Sequence, residues 1–194
     1  MRVLYVYCHP VAESFHGALR AVTLAGLARA GHEVDLCDLY AEGFDPVLSA
    51  AAHRAYHDLA ANRRGLEAYV ERLLWAEGLI LQFPTWCYGA PAMLKGFLDR
   101  LFLPGVAFDF NDPADVKPLL RNVRRLSAIV TYGRSRVHAW YMGDPPRKLV
   151  THYVRWFVDP AAPVRYHALY RLNTASEEVR ARFLARVELE MERY

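Results

Sequence analysis

Short apolar strands alternating with longer segments of helical period constrain this chain more than any other feature. Val3-Leu4-Tyr5-Val6-Tyr7 is β-branched and aromatic, and Phe15, Leu19, Val22 and Leu27 follow at helical spacing, with Ser14 as N-cap and Gly31 as the stop after Ala30. His32 to Leu39 sets Val34 and Leu36 against Glu33 and Asp35, a half-buried strand that completes a βαβ unit. The spacing then predicts a helix over Ser49 to Ala76, broken near Asn62 and Gly65, and a third strand, Leu79 to Phe83, ended by Pro84. A helix opens at Pro91 and runs to the stop at Pro104-Gly105. Leu126 to Tyr132 and Val164 to Leu172 read as the last two strands, and Thr174 with Glu177 as the capping box of a helix carrying Val179, Phe183, Val187 and Met191.

Five strands separated by helical segments require a parallel sheet covered on both faces. Right-handed crossovers then leave doubly wound topologies, and the order expected is 2-1-3-4-5. A chain of 194 residues is expected to form one domain, residues 1–194, with a core large enough to need no disulfide or metal. The connections 104–120 and 133–148 are long for a compact domain, which points to function.

Charge and cysteine usage narrow the classes. Lys plus Arg exceeds Asp plus Glu by 24 to 21, a net charge of +3, partly gathered at Arg121, Arg124, Arg125, Arg134 and Arg136. That excess mildly favours small anionic ligands and does not argue for nucleic acid. Cys8, Cys37 and Cys87 are odd in number and widely spaced, as in a reducing compartment. The first strand begins at once without a cleavage site, and no apolar run is long enough to span a bilayer, so a cytoplasmic protein without membrane insertion is expected.

Ligands in an open α/β sheet bind at the carboxyl ends of the strands beside the switch point, here Cys8 to His16, Pro84 to Ala90 and Thr131 to Arg136. The first loop has neither GxGxxG nor GxxxxGK. It places Ser14, Phe15 and His16 at a helix N-terminus, where free amides and the dipole favour phosphate, although Ser14 equally reads as a plain cap. Trp86, within Pro84 to Pro91, offers a surface for a planar heteroaromatic ligand or a simple hydrophobic plug. Cys87 reads as a packed small hydrophobe, since no histidine with an orienting acid can be assigned to it. His53 and His57 stand at i, i+4 without a third ligand, which marks a solvated face, and no G-x-S-x-G is present.

His9-Pro10 followed by Ser14-Phe15, then Pro84-Thr85-Trp86, the P-A-x-L-K-G-x-x-D-R segment from Pro91 to Arg100, and Pro104-Gly105-Val106-Ala107-Phe108 together resemble the flavodoxin-like NAD(P)H:quinone oxidoreductase family. The likeness is specific as far as Phe108 and thins beyond it to the fold. It implies a flavin, FAD with FMN as the alternative, whose phosphate portion lies at His9, Ser14, Phe15 and His16. The ring would lie against Pro84, Thr85, Trp86 and Cys87, with Thr131, Tyr132 and Gly133 closing the other edge. Lys95, Asp99 and Arg100 are assigned to helix structure and dimer packing.

The chain departs from the best-known branch after the fourth strand, where Tyr132-Gly133-Arg134-Ser135-Arg136 replaces paired glycines. Tyr132, Tyr141 and His138 are the catalytic candidates there. Arg134 and Arg136 read as a solvated loop or as an attraction for the NADPH phosphate. The activity implied is NAD(P)H oxidation through the flavin to a quinone-like acceptor, by a ping-pong mechanism. The alternative is a flavodoxin-like regulatory subunit of a membrane transporter; a one-electron carrier fits less well because such carriers are acidic. The helix from Pro91 is apolar on more than one face, through Met93, Leu94, Phe97, Leu98, Leu101 and Phe102, which implies a second partner surface. The family resemblance implies that this partner is a second copy, in a two-fold homodimer whose interface completes each flavin pocket with Phe108 lending apolar wall.

Overall fold

A computed structural model describes residues Met1–Tyr194. The central sheet consists of β1 (Arg2–Tyr7), β2 (Glu33–Asp38), β3 (Gly78–Pro84), β6 (Arg125–Thr131) and β7 (Val164–Leu169), all parallel, in the order β2-β1-β3-β6-β7. Two short strands, β4 (Phe108–Asp109) and β5 (Lys117–Pro118), pair separately as a small antiparallel ribbon. Counting the central strands alone gives 2-1-3-4-5, the expected flavodoxin-like topology, with the switch point between β1 and β3.

Period-two alternation divides the core. Val3, Tyr5, Ile80 and Ile129 face α1 (Phe15–Arg29) and α8 (Glu177–Glu192), where Leu19, Leu27, Phe183, Val187 and Met191 are buried. Leu4, Val6, Leu79, Leu81, Leu126, Ala128 and Val130 face the opposite side, covered by α3 (Glu67–Trp75), α4 (Ala92–Leu101) and a helical run of α6 (Pro145–Lys148), a π-helical segment (Leu149–Val154) and α7 (Arg155–Phe157). Strands β1 and β3 are apolar nearly throughout because both faces are covered.

Several boundaries differ from the sequence reading. The helix expected over Ser49 to Ala76 is two helices, α2 (Ala50–Arg54) and α3, separated by turns. Asn62 Nδ2 donates to the Tyr56 and Pro104 carbonyls, pinning these turns to the loop after α4, and Gly65, at φ +76, cannot continue a helix. Strand β7 stops at Leu169, and Arg171, at φ +59, turns the chain so that its amide meets the Arg134 carbonyl. The cap of α8 is Ser176, whose hydroxyl accepts from the Val179 amide; Thr174 lies in a 3₁₀ turn.

The apolar excess of α4 is taken up inside the chain. Leu94, Phe97, Leu98, Leu101 and Phe102 are all buried, Phe97 against Phe44 and Phe102 edge-on to Phe157. A Cβ on Gly96 would lie 2.3 Å from Pro46, so this motif glycine lets the 44–46 segment cross the helix. Arg100 donates to the Asp45 carbonyl and lies over the Phe44 ring, while Lys95 pairs with Asp99 on the surface. These contacts give the motif an intramolecular role, and the two-faced apolar character of α4 no longer implies a partner.

Candidate functional site

The loop from Cys8 to Ser14 folds back onto the start of α1. His9 Nδ1 accepts from the Val11 amide at 3.1 Å and lies 3.0 Å from Ser14 Oγ, which also donates to the Val11 carbonyl at 2.7 Å. The same Ser14 oxygen caps α1 by accepting from the Gly17 amide. A Cβ on Gly17 would overlap the Ala12 carbonyl, so only glycine admits this close approach. Ser14 is therefore a cap, and the Phe15 and His16 amides are left without an acceptor in the chain. Free amides at the positive end of a 15-residue helix present donors and a favourable dipole to an anion.

The Phe15 ring does not point into this crevice: it lies 6.4 Å from the Phe183 ring in the α1/α8 core. His16 is 2% exposed and sits beneath the loops. Its Nε2 lies 2.8 Å from Thr131 Oγ1, while Gln82 Nε2 donates to the His16 carbonyl at 2.7 Å and lies 3.4 Å from His16 Nδ1. Gln82 Oε1 accepts from the Tyr5 hydroxyl at 2.5 Å. With the Gln82 amide donating toward Nδ1, Nε2 carries the proton and donates to Thr131. Burial, with a smaller contribution from neighbouring His9, lowers the His16 pKa to about 3, so the ring is neutral at ordinary pH. The buried chain Tyr5–Gln82–His16–Thr131 thus ties together the ends of β1, β3 and β6, the three strands whose loops form the site.

Above this layer, His9 stacks on His16 with ring centres 5.1 Å apart and lies 6.3 Å from Trp86. Burial keeps His9 below its usual pKa. Trp86 is 42% exposed and begins a tight turn in which its amide and carbonyl both pair with Gly89. Cys87 (φ +50) and Tyr88 (φ +59) occupy the left-handed region in succession, a strained state for side chains of that size. Their amides have no acceptor in the chain, and Cys87 is exposed, not packed as its sequence context suggests. Pro84 is buried at the end of β3, and Thr85 donates its amide to the Thr131 carbonyl.

The loop after β6 is organised differently from its expected role. Tyr132 is 2% exposed, and its hydroxyl lies 2.6 Å from both Asp144 Oδ1 and Tyr166 Oη. Its ring stacks on Tyr170, and Arg147 bonds both Asp144 and the Tyr170 hydroxyl. Burial first, then the neighbouring Tyr166 and Asp144, push the Tyr132 pKa far above the usual phenol range. Gly133 is exposed with a free amide. His138 and Tyr141 lie on α5 (Arg136–Tyr141), both exposed, with His138 Nδ1 2.8 Å from the Ser135 hydroxyl.

Gln82 and the Asp144–Arg147–Tyr166 group escaped the sequence reading. A lone amide inside the otherwise apolar Leu79 to Phe83 run was the available signal for Gln82. No group of three or more His, Cys, Asp or Glu side chains is arranged to hold a metal, and the His57 ring lies 5.0 Å from the Phe110 ring, tilted by 32°. No helix is long and apolar enough to cross a membrane.

Free amides and an exposed indole brought to the switch point of a doubly wound sheet define a flavodoxin-like ligand-binding protein. The chain belongs to the family described as having a flavodoxin-like fold, whose model matches residues 1–189. Among curated proteins it is 32% identical over 156 residues to ribosyldihydronicotinamide dehydrogenase [quinone] of Pongo abelii, covering 71% of this chain and 66% of that protein. It is 30% identical over 154 residues to NAD(P)H dehydrogenase [quinone] 1 of Cavia porcellus, covering 71% and 56%. The chain thus spans between about half and two thirds of the length of these relatives. The crystal structure of Smu.1420 from Streptococcus mutans UA159 superposes with a TM-score of 0.86 at 29% identity, over 100% of both chains.

Proposed function

We propose that residues 1–194 form one flavin-binding domain that oxidises NAD(P)H and reduces quinone-like acceptors. The observation that carries this reading is His9, stacked on His16 and 6.3 Å from Trp86, because it brings the phosphate-type amides of α1 and the open indole face to one crevice. Two curated relatives with quinone dehydrogenase names support it. FAD is the proposed cofactor, with FMN as the alternative. No feature of the site favours the transporter-subunit alternative.

A bound flavin would supply the hydride chemistry between NAD(P)H and the acceptor. The protein's part is placement. The Phe15 and His16 amides would hold the phosphate, Trp86 would offer a flat wall, and the free amides of Cys87, Tyr88 and Gly133 would stabilise negative charge at the ring's polar edge. The buried His16 chain keeps these loops in register, so His16 and Thr131 serve by position, while Phe15 contributes its amide alone. Tyr132, with its hydroxyl committed to Asp144 and Tyr166, likewise holds its loop. Tyr141 and His138 are the proton donors proposed for the acceptor, since both are exposed on the helix that follows.

One crevice serving donor and acceptor by turns gives ping-pong kinetics. A homodimer is proposed on a surface other than α4: Val137, Trp140 and Met142 around α5 are 71%, 76% and 48% exposed, an apolar patch beside the site that a second copy would cover. Titrating the purified protein with FAD and with FMN while following flavin fluorescence tests the cofactor assignment. Saturable one-to-one binding is expected, tighter for FAD; absence of binding by either flavin would refute the proposal.

A further inference from the structure

We propose that the free edge of β7, with the arginines on either side of it, is a docking groove for an extended acidic peptide segment of a partner protein. Strand β7 ends the sheet and pairs only with β6. The Pro163 and Leu169 carbonyls accept from the Leu126 and Tyr132 amides, and the alternation of a parallel ladder gives Arg165 and His167 the same inward-facing backbone. The amides and carbonyls of Tyr166 and Ala168 therefore face out of the sheet. Such an edge is a template for an added strand, and natural sheets commonly protect it by covering it or charging it.

Here the edge lies in a groove of about 510 Å³. Arg165 and Arg186, from β7 and α8, wall it on one face of the sheet; Arg136 and Arg147, from α5 and α6, wall it on the other. Glu190 is the only carboxylate in the lining, and it pairs with Arg165 at 2.9 Å. Arg147 is held over the Tyr166 ring at 4.2 Å by its bond to Asp144. Arg136 and Arg186 are exposed and form no ion pair, although the whole chain carries a net charge of only +3. The positive charge is thus concentrated along this open edge of the sheet, whereas the opposite edge strand, β2, carries Glu33, Asp35 and Asp38.

Charge selects the occupant. A second copy paired edge to edge would set these arginines against each other, whereas an extended segment with Glu or Asp at alternate positions would direct its carboxylates to one wall while its backbone bonds Tyr166 and Ala168. Alternation matters because it combines a strand-forming backbone with charge on one side.

The test is fluorescence anisotropy of the full chain with a labelled octapeptide alternating Val and Glu. Three comparisons accompany it: the same peptide with one central Val replaced by Pro and its Glu residues unchanged, the Lys counterpart, and titration of Ala168→Pro and Arg165→Glu/Arg186→Glu proteins. Ala168→Pro removes an outward N–H and no bond of the β6 ladder, so folding is preserved, which circular dichroism checks. Saturable binding of the Glu peptide is expected, weakened about tenfold or more by the Pro peptide and by either variant. Equal binding of the Glu and Pro peptides would show charge attraction alone and overturn the proposal, as would no binding. Self-association abolished by Ala168→Pro would also overturn it, assigning the edge to a second copy. Flavin titration of the same proteins reads the other site separately.

Discussion

Replacing His16 by Gln changes how stability depends on pH, and the size of the change follows from the burial of the ring. The folded-state pKa of His16 is lowered from 6.5 to about 3, so the native state excludes a proton that the unfolded chain takes up as pH falls through 6.5. The stabilisation is complete above pH 6.5 and is lost between 6.5 and 3. Within that window the loss is roughly 1.4 kcal/mol per pH unit, which amounts to about 2 kcal/mol between pH 7 and pH 5. Glutamine does not titrate, and its amide can still donate to Thr131 Oγ1, so the variant keeps the buried layer satisfied at a constant cost of about 1–3 kcal/mol for the imperfect fit. Urea melts of both proteins at pH 7 and pH 5 give the double difference, in which other titrating groups cancel. Wild type should lose about 2 kcal/mol more than the variant over this interval. Parallel losses would refute the reasoning, because they would mean that His16 ionises freely in the folded protein.

Trp86→Ala should weaken flavin binding by at least about 1 kcal/mol, roughly fivefold in Kd, in the fluorescence titration, and leave the melting midpoint little changed because the indole is 42% exposed. At Cys87, held at φ +50, the stability order in chemical melts should be Gly, then Cys, then Val, with Val lower than wild type by about 1 kcal/mol or more. Gly96→Ala should cost about 1–3 kcal/mol, since its Cβ would meet Pro46 at 2.3 Å and that segment must shift.

Strand order and the location of the three loops were legible because buried parallel strands and capped helices leave period and composition signals. Ser14 read correctly as a helix start, and the structure adds that its hydroxyl is spent on the cap, leaving the backbone of Phe15 and His16 to meet a ligand. What escaped depended on contacts distant in sequence. His16 read as part of a phosphate-facing helix start, and its burial shows only once Gln82 and Thr131 close on it from two other strands. The left-handed turn at Cys87 and Tyr88 had no glycine or asparagine to announce it. Similarly, α4 looked over-hydrophobic only because the crossing of Phe44 and Pro46 and the packing of Phe157 against Phe102 cannot be read from a helix in isolation. Tyr132 followed its period-two position into the core, where Asp144 and Tyr166 take up its hydroxyl.

The most direct test of the central claim is the initial rate of NAD(P)H oxidation by purified, flavin-loaded protein with a simple benzoquinone as acceptor, measured over a grid of both concentrations. Turnover that requires both flavin and quinone, with parallel double-reciprocal plots, is the predicted result. Flavin-loaded protein that leaves NADH and NADPH unoxidised in the presence of quinone would contradict the account.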